Sequence, residues 1–167
     1  MKQFTREEKI VSEIRNNPGI RFRELMSIVG ITNGVLSYYV SKLEKVGNIQ
    51  VQRKSGVSRF FMSDLSEDER QLTKYLRMTT PKKILVVLLK YKVSTFKQIV
   101  EEIKMSPSTT SFYLKKLVED EIITVHTFTP KKYTLVKKTQ IENLISEYHP
   151  DLVTIASANL EDIFSSF

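Results

Sequence analysis

Two stretches of this chain array side chains that could meet the groove of a nucleic-acid duplex. Asn33, Gly34, Ser37, Tyr38, Ser41 and Lys42 form one set, and Ser108, Thr109, Ser111, Phe112, Lys115 and Lys116 form the other. Their spacings place each set on one face of a helix. Small hydroxyl residues let a helix approach closely and can bond to bases or phosphates, while the lysines sit at the end nearer the backbone. Neither face carries an acidic side chain in its first three turns. Tyr38 and Phe112 hold equivalent places, where an aromatic ring either packs on a thymine methyl or a sugar, or fills the gap between helix and neighbouring hairpin. Each helix precedes a basic strand-turn-strand segment, with Arg53, Lys54 and Arg59 in the first and Lys131 and Lys132 in the second. Hairpin tips of this composition suit a phosphate backbone, and an arginine suits the minor groove. A solvated charged turn looks similar, but two basic tips in register with two acid-free helices favour nucleic acid.

Other chemistries lack their residues. There is no cysteine, which removes disulfides, thiol catalysis and cysteine-based zinc sites. His126 and His149 are far apart and lack metal-ligand spacing. No glycine-rich phosphate loop, nucleophile elbow or His-Glu-x-x-His motif occurs, so neither an enzyme nor a cofactor is expected. The first residues, MKQFTREEKIVSEIRNN, read as an amphipathic helix rather than a signal peptide, because Arg6, Glu7, Glu8 and Lys9 interrupt any apolar core. The run Ile84 to Leu89 is too short to cross a bilayer. A cytoplasmic, nucleoid-associated protein is expected.

The elements that position the two faces repeat. With an offset of 74 (Ile84 minus Ile10), residues 5–62 and 79–136 align without a gap through ten identities, among them Phe22 with Phe96, Ser37 with Ser111, Lys42 with Lys116 and Val51 with Val125. In the first copy, Thr5 caps a helix with Ile10, Val11 and Ile14 inside, and Asn16-Asn17-Pro18-Gly19 ends it. A second helix, about 21–29, buries Phe22, Leu25, Ile28 and Val29 and closes at Gly30. Thr32 caps a third helix to about Val46, with Leu36, Tyr39 or Val40, Leu43 and Val46 inside. A hairpin over 49–62 turns at Lys54-Ser55-Gly56. In the second copy, Thr79 or Thr80 caps with Pro81 at the first helical position. The second helix runs from about Thr95 to Lys104, Ser106-Pro107 opens the third, and Pro130-Lys131-Lys132 is the hairpin tip. Tyr39 and Tyr113 are expected half-buried. The spacing therefore predicts a mainly α fold with small β-hairpin wings: two tandem winged helix-turn-helix domains, a linker helix and C-terminal helices.

Lysine and arginine number 11 against 6 acids over residues 1–64, 13 against 8 over 65–136 and 2 against 5 over 137–167, for a total of +7. These segments are the expected first domain, linker with second domain, and helical tail. Two basic repeats imply a polyanionic partner, and an acidic tail implies a separate task. Ser66 caps a linker helix with Leu72, Tyr75 and Leu76 as its apolar stripe, and Thr139 with Glu142 has capping-box spacing ahead of Leu144, Ile145 and Tyr148. Pro150-Asp151 restarts a last helix carrying Leu152, Ile155, Ala156, Leu160, Ile163 and Phe164. That stripe either packs back on the linker or pairs with its twin, and a homodimer through the C-terminal or linker helices is expected.

The segments NPGIRFRELMSIVGITNGVLSYYVSKLEKVGNIQVQRKSGVSRFF and TTPKKILVVLLKYKVSTFKQIVEEIKMSPSTTSFYLKKL resemble winged-helix modules of MarR- and ArsR-like regulators. The order of parts is similar to that of tandem winged-helix transcriptional regulators common in archaea. SPSTTSFYLKKL carries the resemblance most strongly, through its Ser-Pro-Ser-Thr start and Leu-Lys-Lys-Leu end. The resemblance implies binding to double-stranded DNA and transcriptional control, usually repression. It does not transfer base preference, because Tyr39 and Tyr113 stand where such helices often carry His, and the Cys and His clusters of metal-sensing ArsR proteins are missing. Competing expectations are an interaction module of the transcription machinery and a nucleoid-type binder without sequence preference.

Overall fold

The computed structural model describes residues 4–150 and Leu152. The expected last-helix positions Ile155, Ala156, Leu160, Ile163 and Phe164 lie outside the described residues. The chain divides into two compact units, Met1–Thr73 and Lys74–Phe167.

In the first unit, α1 (Arg6–Asn16), β1 (Ile20–Arg21), α2 (Phe22–Val29) and α3 (Asn33–Lys45) precede a hairpin of β2 (Ile49–Lys54) and β3 (Val57–Met62). Thr5 caps α1 through a capping box, its Oγ1 accepting from Glu8 N–H while the Glu8 carboxylate accepts from Thr5 N–H. Those bonds hold the Glu8 carboxyl below the usual carboxylate range. Gly30 ends α2 at φ 72°, a left-handed conformation that a glycine adopts without penalty. Ser55 and Gly56 both have positive φ, 51° and 73°, as a two-residue hairpin turn requires. Ile10 and Ile14 from α1, Leu25 and Val29 from α2, and Leu36, Val40 and Leu43 from α3 pack with Ile20, Ile49, Phe60 and Met62 of the sheet. Two expected core residues are on the outside: Ile28 is 48% and Val46 60% exposed. Val46 is the C-cap of α3, where the chain leaves the helical register that buries Leu36, Val40 and Leu43.

The helix α4 (Glu67–Leu76) follows, opened by a Ser66–Glu69 capping box and burying Leu72, Tyr75 and Leu76. The second unit then repeats the first: α5 (Thr79–Tyr91), β4 (Val93–Thr95), α6 (Phe96–Ile103), α7 (Pro107–Glu119), β5 (Ile123–His126) and β6 (Lys132–Leu135), with α8 (Lys138–Tyr148) behind. α5 begins earlier than expected, with Met78 as its cap and Pro81 as its third residue. A proline is tolerated there because the first four helical N–H groups have no intrahelical partner. Thr95 and Ser106 cap α6 and α7 through their hydroxyls, and Pro107 is the first residue of α7. Thr139 does not cap α8; Lys137 precedes the helix and Thr139 lies inside it. Ile141, Leu144 and Ile145 are buried and Tyr148 half-buried.

Each hairpin is part of a three-stranded sheet, in the order β1-β3-β2 and β4-β6-β5. The strands β1 and β4 are too short for a period-two pattern and were not expected. The pairings also correct the gapless repeat. Ile49 pairs with Met62, and Ile20 with Phe60. In the second unit Ile123 pairs with Leu135, and Ser94 with Tyr133. Up to β5 the offset is 74, but from β3 to β6 it is 73 (135 minus 62), so one residue is missing across the second wing. The shift puts Tyr133 in the place of Phe60, and its burial pushes the Tyr133 phenol above its ordinary range.

Candidate nucleic-acid interface

The helices α3 and α7 are equivalent residue for residue, Asn33–Lys45 against Pro107–Glu119. Each buries the same three places, Leu36, Val40 and Leu43 in one and Thr110, Leu114 and Leu117 in the other. Burial of that stripe turns the opposite face outward, so Asn33, Gly34, Ser37, Tyr38, Ser41 and Lys42 are exposed, as are Ser108, Ser111, Phe112, Lys115 and Lys116, with Thr109 half-exposed. Ser37 Oγ donates to Asn33 Oδ1 at 3.2 Å, and Thr109 N–H donates to Ser106 Oγ at 3.2 Å.

Tyr38 and Phe112 are 66% and 53% exposed, which answers the question left open by their types. Neither fills the gap between helix and wing. Each ring stands edge-to-face on its neighbour, Tyr38 on Tyr39 at 5.3 Å and Phe112 on Tyr113 at 5.2 Å, and the neighbours are the half-buried members. Lys116 Nζ lies 4.7 Å from the Phe112 ring centroid, a cation–π contact that leaves the ammonium at the surface.

Lys42 and Arg53 of the first unit are engaged by carboxylates. Lys42 Nζ lies 2.6 Å from Glu7 Oε2 of α1, and this bond holds the Lys42 ammonium pKa above its ordinary value. Arg53 forms a fork to Glu44, with Nη1–Oε1 at 2.8 Å and Nη2–Oε2 at 2.7 Å, which holds the Glu44 carboxyl below its usual range. The pair joins α3 to β2 across a shallow cleft of about 200 Å3 lined by Ser37, Ser41, Val51 and Phe60 among others. Arg59 is set apart from this group: its Nη1 donates to Gly19 O at 3.0 Å, tying β3 to the loop before β1. Lys54 is exposed at the end of β2.

The second unit presents its charges differently. Lys115 has a long, exposed pairing with Glu119 at 3.8 Å, while among the described residues no carboxylate pairs with Lys116, Lys131 or Lys132. Lys132 is not at the hairpin tip but begins β6, opposite His126. The loop between β5 and β6 is residues 127–131 and carries Phe128, 78% exposed. Sequence reasoning passed over Phe128, whose position two residues before Pro130 in a turn was the available signal.

One of the ten identities now has a cause. Lys9 Nζ donates to Val29 O at 3.2 Å and Lys83 Nζ to Ile103 O at 3.3 Å. In both units a lysine of the first helix satisfies a carbonyl at the end of the second, where the helix dipole favours a cation.

Residues 80–125 match the family described as "Bacterial regulatory protein, arsR family", and residues 5–50 match "Winged helix-turn-helix DNA-binding". No curated protein matches the chain. Among solved structures, a chain of the endosomal complex ESCRT-II (VPS22/VPS25/VPS36) is similar at 13% identity and a TM-score of 0.28, over 74% of this chain and 57% of that one. A conserved hypothetical protein from Chlorobium tepidum is similar at 15% identity and a TM-score of 0.27, over 86% of this chain and 97% of that one. No described helix is long and apolar enough to cross a membrane. The two family matches fall on the two copies of one architecture, and the chain is a tandem winged helix-turn-helix protein whose domains support a DNA-binding regulator.

Proposed function

We propose that this chain is a sequence-specific regulator of transcription that binds double-stranded DNA and acts as a repressor. In this reading α3 and α7 read the major groove, while the wings follow phosphates or enter the minor groove. The observation that carries it is the pair of equivalent helices, each exposing hydroxyls, one aromatic ring and lysine from positions without acid. A helix that reads base edges needs such a surface, because a carboxylate there is repelled by phosphate on both sides of the groove. Residues 1–64 and 65–136 act as the two DNA-binding domains. Residues 137–167, with α4, hold two copies together, and the protein works in the cytoplasm on the nucleoid without a cofactor.

The test is selection from a random duplex library at about 0.15 M salt, near physiological ionic strength, with sequencing of the bound pool. An enriched motif is the expected result. Binding without enrichment would turn the reading to a nucleoid coat protein. Failure to bind would move the chain to the interaction modules of the transcription machinery.

A further inference from the structure

The two winged domains face a duplex with unequal charge, and two glutamates make the difference. On the helix-and-wing face of the first, Lys42, Arg53 and Lys54 are set against Glu7 and Glu44; on the second, Lys115, Lys116, Lys131 and Lys132 are set, among the described residues, against Glu119 alone. The glutamates are not part of the repeated plan. The offset of 74 puts Pro81 in the place of Glu7 and Val118 in the place of Glu44.

We infer that Glu7 and Glu44 are built-in competitors of DNA phosphate, so that the first domain is held as the weaker electrostatic partner and the second carries the larger share of phosphate contact. The inference rests on the DNA-binding reading above. A phosphate reaching Lys42 meets an ammonium already neutralised by Glu7 Oε2 at 2.6 Å, and that carboxylate stays anchored on α1 next to the incoming charge. A phosphate reaching Arg53 meets a guanidinium whose two terminal nitrogens already bond both oxygens of Glu44. That fork is the arrangement arginine would use for phosphate, so the carboxylate and the phosphate compete for the same donors. Salt sensitivity of binding counts phosphates neutralised by the protein, and a cation already neutralised by a neighbouring carboxylate adds little to that count. Lys131 and Lys132 face no such competitor among the described residues.

The experiment measures affinity of the full chain for a mixed-sequence duplex over a range of salt, for four proteins. These are the wild type, Glu7→Gln with Glu44→Gln, Lys131→Ala with Lys132→Ala, and Glu142→Gln with Glu147→Gln. The last changes net charge by the same amount on α8, outside α3, α7 and the wings. The expected result is tighter binding by Glu7→Gln/Glu44→Gln, with a salt slope steeper by up to about 0.9 for each released cation. Lys131→Ala/Lys132→Ala should give a shallower slope, and the α8 pair a slope near wild type. If Glu7→Gln/Glu44→Gln behaves like the α8 pair, the competition is wrong while the DNA-binding reading stands. A wild type that binds no duplex overturns that reading, and the inference with it. Should loss of the Glu44 fork unsettle the wing, Glu7→Gln alone leaves that fork intact and is expected to show half the change in slope; no change in that variant overturns the role of Glu7.

Discussion

Ser37 and Ser111 stand on the two exposed helical faces, one residue after a buried Leu36 or Thr110 and three before a buried Val40 or Leu114. In the proposed reading, a carboxylate at either place would face bases and phosphates at once. Ser111→Glu is therefore expected to weaken duplex binding by at least the about 1–3 kcal/mol that a good base contact is worth, and Ser37→Glu by less, since the first domain is the weaker partner. Fluorescence anisotropy on a selected site measures both, and unchanged affinity for the pair would remove α3 and α7 from the groove. Their melting curves should stay close to wild type, because both side chains are exposed. These faces were legible in the sequence because a helix fixes which residues share a side. The partners of the cations were not. Glu7 meets Lys42 across 35 residues, and Arg59 meets Gly19 across 40, through packing of α1 and β1 that no local pattern encodes. Tyr38 and Phe112 show the intermediate case: type and spacing placed them on the helix, and only the packing of Tyr39 and Tyr113 decided that they point outward.

Among the elements, caps and hydrophobic periods gave the helices closely, because each rests on bonds within four residues. Where the chain departs from those rules, the structure supplies the reason. The first unit ends α2 with Gly30, but the second ends α6 with Lys104 in the same left-handed conformation, at φ 52°. A side chain there carries a steric cost of about 1–2 kcal/mol, of which glycine's greater unfolded-chain freedom takes back about 0.5–1 kcal/mol, so Lys104→Gly is expected to stabilise the protein modestly, read as a higher denaturant midpoint; a lower midpoint would mean that the lysine side chain contributes more than the strain takes away. The helix α4 is joined to the end of α7 by Tyr75, whose hydroxyl donates to Asp120 at the α7 C-cap. Burial, then this bond, holds the phenol well above its ordinary value of 10.0. A raised folded-state value means that the contribution is complete below the unfolded pKa and is lost as pH rises beyond it. Tyr75→Phe should therefore cost about 1–3 kcal/mol at neutral pH and should lose less stability than wild type between neutral and strongly alkaline solution, measured by denaturant unfolding at several pH values. Equal stability at neutral pH would show that the bond does not support α7. The short strands β1 and β4 and the missing wing residue escaped sequence reasoning because strand register is a property of pairing, not of one strand.

At the scale of the whole molecule, the proposed reading gives one chain two groove-reading helices, so that a single copy has the parts to engage two half-sites. Such a monomer would select two unlike half-sites, since the exposed faces of α3 and α7 differ in sequence. Two copies related by a twofold axis would select an inverted repeat with half-sites about 10–10.5 base pairs apart or a multiple of that. The unequal charge of the two domains favours the second arrangement. A domain whose cations are held by Glu7 and Glu44 adds little contact by itself, whereas pairing two copies of the stronger domain doubles the stronger contact. The full chain is therefore expected to sediment at twice its 19.4 kDa, and the selected sites are expected to be palindromic, with the strongest base preference where α7 lies. Sedimentation equilibrium and the symmetry of the selected motif are independent readouts. A 19.4 kDa species with a motif of two unlike half-sites would assign both domains to one operator within one chain, and the acidic segment from residue 137 onward would then need another task.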